Sequence, residues 1–188
     1  MIRTFLPATI FALLALPNHS LADDGAADLT KAANRMVIEV EIDRPDASRR
    51  YRKPYVAMWV EDKDKFPVKT IALWLMKDNP GPRWHPDLRQ WYKSDRMRLL
   101  VEDEKLIDGM SGPTRSPGKH KVAWDGTDNK GKPLPPGQYT FYIESAREHG
   151  TYQLIKEVIE LSKPFNKSLP GNNEIKSVAL DYQTEVAK

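Results

Sequence analysis

The stretch Met36-Val37-Ile38-Glu39-Val40-Glu41-Ile42 alternates apolar and acidic side chains with period two. Met36, Ile38, Val40 and Ile42 fall on one side of an extended chain and the two glutamates on the other, the pattern of a strand with one buried face. Pro54 to Val60 and Thr70 to Met76 read as apolar strands, joined by the charged turn Glu61 to Lys65 with Pro67 behind it, which makes a hairpin. Lys119 to Trp124, Gln138 to Ala146, Tyr152 to Leu161 and Glu174 to Tyr182 bring the total to about seven short strands. So many short strands bury their apolar faces by packing sheet on sheet. The expected fold is therefore mainly β, an antiparallel β-sandwich of immunoglobulin type. Between Met76 and Lys119 the period changes. Leu88, Trp91 and Tyr92, then Met97, Leu100 and Val101, recur at helical spacing, which predicts one or two short helices inserted in the β scaffold. Lys163 to Asn173, rich in Pro, Asn, Lys and Gly, reads as a loop, and no internal repeat is visible.

Residues 1–22 have the three parts of a secretory signal. Arg3 supplies the positive start, Phe5 to Leu16 is almost wholly apolar, and Ser20-Leu21-Ala22 offers small residues where a signal peptidase reads. The apolar run is too short for a permanent anchor, and no later stretch approaches membrane length. The expectation is export to the periplasm with cleavage after Ala22 and no membrane-embedded part. A polar lead over 23–35, a single domain over 36–182 and a tail over 183–188 would follow. The absence of cysteine in 188 residues rules out disulfides, thiol catalysis and cysteine-ligated metal clusters. A net charge of +3, its signs interspersed, is not a nucleic-acid footprint.

Between two predicted strands, Trp124 to Tyr139 concentrates Gly, Asp, Asn and Pro. Gly126, Gly131 and Gly137 suit positive φ, and the prolines block further pairing, so the segment reads as a structured turn. It resembles the connecting loop of immunoglobulin-like domains in flagellar hook-capping proteins. Its aspartates lack the ligand spacing of an EF-hand.

The chemically informative stretch is Asp108-Gly109-Met110-Ser111-Gly112-Pro113-Thr114-Arg115-Ser116-Pro117-Gly118. It combines three hydroxyls, a carboxylate and an Arg with glycines that let another molecule approach the backbone. No base accompanies the hydroxyls in a nucleophile motif, so hydrolase chemistry has weak support. The pattern Asp-x-x-Ser-Gly-x-Thr resembles the acceptor motif of ApbE-type flavin transferases, Asp-x-x-(Ser/Thr)-Gly-Ala-Thr, with Pro113 in place of Ala. That resemblance implies covalent FMN on Thr114 through a phosphoester, with Asp108, Ser111 and Gly112 as motif residues.

The wider chain resembles the periplasmic domain-of-unknown-function family 2271 (DUF2271). The resemblance rests on Tyr55 to Val60, Trp84 with Asp87-Leu88-Arg89-x-Trp91-Tyr92, the Ser111 to Gly118 run, Trp124-Asp125-Gly126 and Ala146-Arg147-Glu148-His149-Gly150. It implies periplasmic electron transfer linked to iron, with a flavin transferase and a PepSY-type membrane reductase as partners. On this reading Trp84 and Trp91 offer flat apolar faces to a flavin ring, Arg115 or Arg147 pairs with its phosphate, and His149 donates to the ring or shuttles a proton. The protein would then be an electron carrier rather than an enzyme with its own turnover. Two other readings stand beside it. One is a non-catalytic interaction module whose Thr114 loop is only a turn and whose helical aromatics are core. The other is a metal- or haem-binding protein using His85, His120 and His149.

Overall fold

A computed structural model describes residues 34–44, 51–75, 85–103, 105–148 and 150–184. The signal segment, Trp84 and His149 lie outside the described residues, as does the side chain of Asp108. The strands are β1 (Asn34–Ile42), β2 (Tyr55–Glu61), β3 (Pro67–Trp74), β4 (Ser111–Gly112), β5 (Gly118–Trp124), β6 (Gln138–Ala146), β7 (Tyr152–Glu160), β8 (Phe165–Pro170) and β9 (Ile175–Thr184). Helices α1 (Arg89–Glu102) and α2 (Ile107–Met110) lie between β3 and β4. One sheet has the order β5-β1-β9-β8 and the other β4-β3-β2-β6-β7. Every pairing is antiparallel except that of β3 with β4. The expected β-sandwich is what forms.

The core between the sheets takes the period-two residues as expected. Met36, Ile38, Val40 and Ile42 of β1 meet Val56, Met58 and Val60 of β2 and Phe141 and Ile143 of β6, with Val178, Leu180 and Tyr182 of β9 closing the layer. Strand β2 is buried on both faces. Its other side, with Tyr55, Ala57 and Trp59, packs beneath Leu88 and Trp91 in a second cluster on the outer face of the five-stranded sheet. A continuous apolar run is what a strand covered twice requires.

Three expectations are corrected. Lys163 to Asn173 is not all loop, because Phe165–Pro170 pairs with β9 as an edge strand. Its polar residues belong to a sheet border, where charge and proline are tolerated. The inserted helix is not short; α1 runs for 14 residues. Its second apolar group also faces the wrong way for a core stripe. Met97, Leu100 and Val101 are exposed, while Ser94, Asp95 and Arg98 are buried.

The reason lies in two carboxylates on the sheet. Helix α1 starts at Leu88, whose side chain cannot cap it, and its first turn holds no acid. Glu144 of β6, fully buried, supplies the missing acceptors. Its Oε1 accepts the Gln90 N–H at 2.9 Å and its Oε2 the Trp91 N–H at 2.7 Å. A carboxylate meeting free N–H groups at the positive end of a helix is favourable on both counts. One turn on, Glu61 Oε1 accepts Ser94 Oγ at 2.7 Å and the Trp59 indole N–H at 2.9 Å. The phenol of Tyr142, stacked on Trp59 at 4.7 Å, also bonds Glu61, and burial together with that carboxylate pushes its pKa up to about 12. The polar side of α1 thus turns inward to satisfy the sheet. Arg98 is neutralised within the helix, at 2.8 Å from Asp95 and 3.1 Å from Glu102.

Removing the Glu144 carboxylate by Glu144→Ala leaves two buried N–H groups without acceptors. It is expected to lower the unfolding free energy by about 2–3 kcal/mol in urea titrations. Burial raises the Glu144 carboxyl above its ordinary 4.5, against the pull of the two N–H bonds. A raised acid holds its proton more tightly folded than unfolded. The wild type therefore loses stability as pH climbs from 4.5 through the folded-state value. Glu144→Gln, which does not titrate, is expected to flatten that interval. Equal slopes in the two proteins would remove the assignment.

Candidate functional site

The loop carrying the acceptor-like motif is built by two sheets at once. After α2, Ser111 and Gly112 lie parallel to Leu73 and Trp74 as the edge of the five-stranded sheet. The Leu75 N–H donates to the Gly112 carbonyl at 2.8 Å. Pro113 has no N–H to continue the ladder, so pairing ends there. The chain then crosses to the opposite sheet and enters β5 at Gly118, whose φ of +128° strains any other residue.

Two contacts hold this crossing. The Arg115 guanidinium lies over the Trp74 ring, 5.6 Å from its centre. Trp74 in turn meets His120 edge to face at 5.6 Å. Nε2 of His120 sits 2.7 Å from the Ser116 carbonyl, and since a carbonyl only accepts, that nitrogen is the donor. Thr114 is half-buried between these holds, with Pro113 and Ser116 exposed on either side. Thr114 thus lies on a tethered stretch of backbone. Ser111 is buried, and its Oγ has no hydrogen-bond partner among the described residues.

Arg147 belongs to the same end of the sandwich. Trp74 pairs with Val56, and Val56 with Ser145, two residues before Arg147. It is already committed, however. Its Nε donates to Glu174 Oε1 at 2.8 Å, and Thr151 Oγ1 donates to the same oxygen at 2.5 Å. Its guanidinium also lies over Tyr51, 5.5 Å from the ring centre. This link ties β6 to the start of β9 and closes the end of the sandwich. Glu148 pairs with Arg52 beside it.

The structure therefore brings Ser111, Gly112, Thr114 and Arg115 into one loop and sets Arg147 at the same end of the sheets. It does not bring Trp91 there. That ring is 1% exposed in the helix–sheet core, with its indole N–H 3.3 Å from Thr70 Oγ1. An aromatic held so deeply packs as core and has no free face for a flavin. Trp84 and His149 lie outside the described residues, and of Asp108 only the backbone, in α2, is placed. The residues that sequence reasoning missed are Trp74, read only as part of a strand, and His120, read only as a metal ligand. His85 stands apart from His120, buried against Trp91 in the helix layer. Among the described residues no three His, Asp or Glu side chains come together as metal ligands.

The aspartates of the turn after β5 are used internally. Asp125 Oδ1 accepts from Thr127 N and Oγ1 at 3.1 and 2.7 Å, and Asp128 Oδ1 from the Lys130 and Lys132 N–H groups at 2.8 and 2.9 Å. This is turn chemistry, with Gly126, Gly131 and Gly137 all at positive φ.

A family model described as predicted periplasmic protein (DUF2271) matches residues 35–177, from β1 through the site loop to the first residues of β9. The chain belongs to the DUF2271 family. No curated protein and no solved structure matches it. The family description supports a periplasmic location for this DUF2271 chain. Among its described residues no helix is long and apolar enough to cross a membrane.

The Arg147–Glu174 link gives a direct test of how this end is held. Glu174 is fully buried, so Arg147→Met removes the cation paired with its carboxylate and leaves the Thr151 hydroxyl still donating to it. The loss is expected to cost about 3 kcal/mol in urea unfolding, as for other buried pairs broken on one side. A cost below about 0.5 kcal/mol, typical of surface pairs, would show the link to be incidental.

Proposed function

We propose that Thr114 anchors a covalently bound FMN and that the protein serves as a periplasmic electron carrier. The observation that carries this reading is the tethered loop. A half-buried threonine hydroxyl stands next to an arginine positioned over Trp74, on a crossing fixed at Ser116 by His120. A transferase needs an acceptor hydroxyl it can reach, held on backbone that does not recoil, and this segment meets both conditions.

The residues present fit the phosphate end of the group. Thr114 supplies the ester oxygen, and Arg115, the adjacent cation, suits a phosphate diester. The step is a phosphoryl-group transfer from a flavin dinucleotide donor. The bond from Thr114 Oγ to the FMN phosphorus forms, the donor's pyrophosphate bond breaks, AMP leaves with the electron pair, and the hydroxyl proton is released. The ring's seat is provided by neither Trp74 nor Trp91, which are 5% and 1% exposed. Once tethered, the flavin supplies electron transfer, while the protein fixes its position and surroundings. Pro113 fixes φ immediately before the acceptor and offers the transferase no N–H there. A flavin transferase is the partner this chemistry requires. A PepSY-type membrane reductase, in iron-related reduction, is the electron-transfer partner that the family resemblance implies. Export with cleavage after Ala22 belongs to the same proposal, since the modifying enzyme acts outside the cytoplasm.

Intact mass spectrometry of the exported protein, made beside an active flavin transferase, tests the reading. The wild type is expected to gain the mass of FMN less one water, and Thr114→Ala to gain nothing. Arg115→Ala is expected to slow labelling about tenfold, the effect of one lost charge-assisted hydrogen bond. An unlabelled wild type beside a labelled control acceptor would overturn the proposal.

A further inference from the structure

The six large apolar side chains that stand exposed among the described residues all lie on one side of the molecule. Met97 (41%), Leu100 (89%) and Val101 (71%) project from α1, and Tyr152, Leu154 and Val158 from β7. In the β6–β7 ladder, Tyr152 is opposite Ala146, Leu154 opposite Glu144 and Val158 opposite Thr140. That is the sheet face on which Glu144 caps α1, so helix and strand display their apolar groups in the same direction. The outer face of the other sheet is different. There Glu39 lies between Lys119 and Lys121 at 3.3 and 3.5 Å, and Glu41 pairs with Lys176 at 2.8 Å, an ordinary solvated surface.

The apolar side is also cationic. Arg89, Lys93 and Arg96, spaced four and three apart, line α1, with Lys105 beyond it and Lys156 between Leu154 and Val158, all five exposed. Most of the carboxylates nearby are spent, and Asp62, in a cleft with Lys156 and Val158, accepts the Asp64 and Phe66 N–H groups with one oxygen. Glu61, Glu144 and Asp95 are buried, and Glu102 is paired with Arg98 and Lys130. Asp103 at the helix end is exposed. A cleft of about 730 Å³ on this side repeats the combination, with Tyr92, Leu99 and Ile107 beside Arg96 and Lys105.

We propose that this face docks on the surface of an anionic phospholipid bilayer. Exposed apolar chains grouped on one side are seldom left to water. A second copy of the chain is a poor occupant, because apposed faces would set these cations against one another. Leu100 and Val101 protrude, and a deformable headgroup layer receives protruding apolar groups without needing a matching pocket. The flanking Lys and Arg meet lipid phosphates while their stems lie along the apolar boundary. The proposal is independent of Thr114, which sits on a different part of the molecule.

Co-sedimentation of the mature chain with vesicles tests it, using phosphatidylglycerol mixed with phosphatidylethanolamine against pure phosphatidylcholine. Binding is expected to the anionic vesicles only and to fall with added salt. Leu100→Asp with Val101→Asp, both at exposed positions, is expected to weaken binding at least about tenfold while leaving the melting temperature unchanged. Lys93→Glu with Arg96→Glu is expected to act similarly. Thr114→Ala is expected to bind as wild type, so the result reads separately from flavin attachment. Failure to bind anionic vesicles, or binding indifferent to both double substitutions, overturns the proposal. So does a dimer in sedimentation velocity that Leu100→Asp with Val101→Asp dissolves, which assigns the face to a second copy.

Discussion

A single buried carboxylate decides how the inserted segment sits on the sandwich. Glu144 projects from the interior of β6 into a layer with little water, where an isolated charge is costly. The start of α1 has the complementary problem, with N–H groups that neither Leu88 nor an acidic first turn satisfies. Each resolves the other. Tyr152 adds a hydroxyl to Glu144, and burial beside that carboxylate drives the phenol's own pKa well above its usual value. With Gln90 and Trp91 fixed over Glu144, the helical repeat brings Ser94 to Glu61. The side of α1 carrying Asp95 and Arg98 then turns inward as well.

The remaining features of the insertion follow from that rotation. Once Ser94 and Arg98 face the sheet, Met97, Leu100 and Val101 have nowhere to go but outward. The helix ends at Asp103, which takes the left-handed conformation at φ 51°. The returning chain lays Ser111 and Gly112 along β3. Pro113 stops this pairing after two residues, and the crossing to β5 is the result. The crossing is held by Trp74 from one sheet and His120 from the other, so the loop's geometry depends on the packing of the whole sandwich.

This division explains what could be read from the sequence. The strands with one buried face, β1 above all, and the twice-covered β2 announce themselves because their burial is periodic or continuous. The edge strand β8 does not. Asn166, Lys167 and Ser168 look like loop residues, and only their pairing with β9 reveals a strand. The inward side of α1 was hidden for a related reason. Ser94, Asp95 and Arg98 are buried through partners, Glu61 and one another, and a polar residue's partner is not visible in its own neighbourhood. Thr114 could be singled out as a candidate because its motif is local. The supports of its loop could not, since Trp74 and His120 lie on strands of different sheets, far from each other in the chain. Trp91 carried an ambiguous signal, because an aromatic at helical spacing suits a cofactor platform as well as a core, though it is more often core.

The Thr114 loop and the apolar end of α1 are separated by the run of α1 itself. Its first turn lies over Glu144, near the end of β6 that leads to Arg147 and shares the sandwich end of the Thr114 loop. By Ser94 the helix has reached Glu61, at the far end of β2. Leu100 and Val101 come later still, where Glu102 approaches Lys130 in the turn after β5 at 3.8 Å. The apolar helix end and the threonine loop thus occupy opposite ends of the sandwich. A large enzyme at Thr114 need not cover the α1 stripe, and a surface engaged by that stripe need not bury Thr114. The modification proposed at Thr114 and the contact proposed for the end of α1 are therefore compatible on one scaffold, and Glu144 sets where α1 begins.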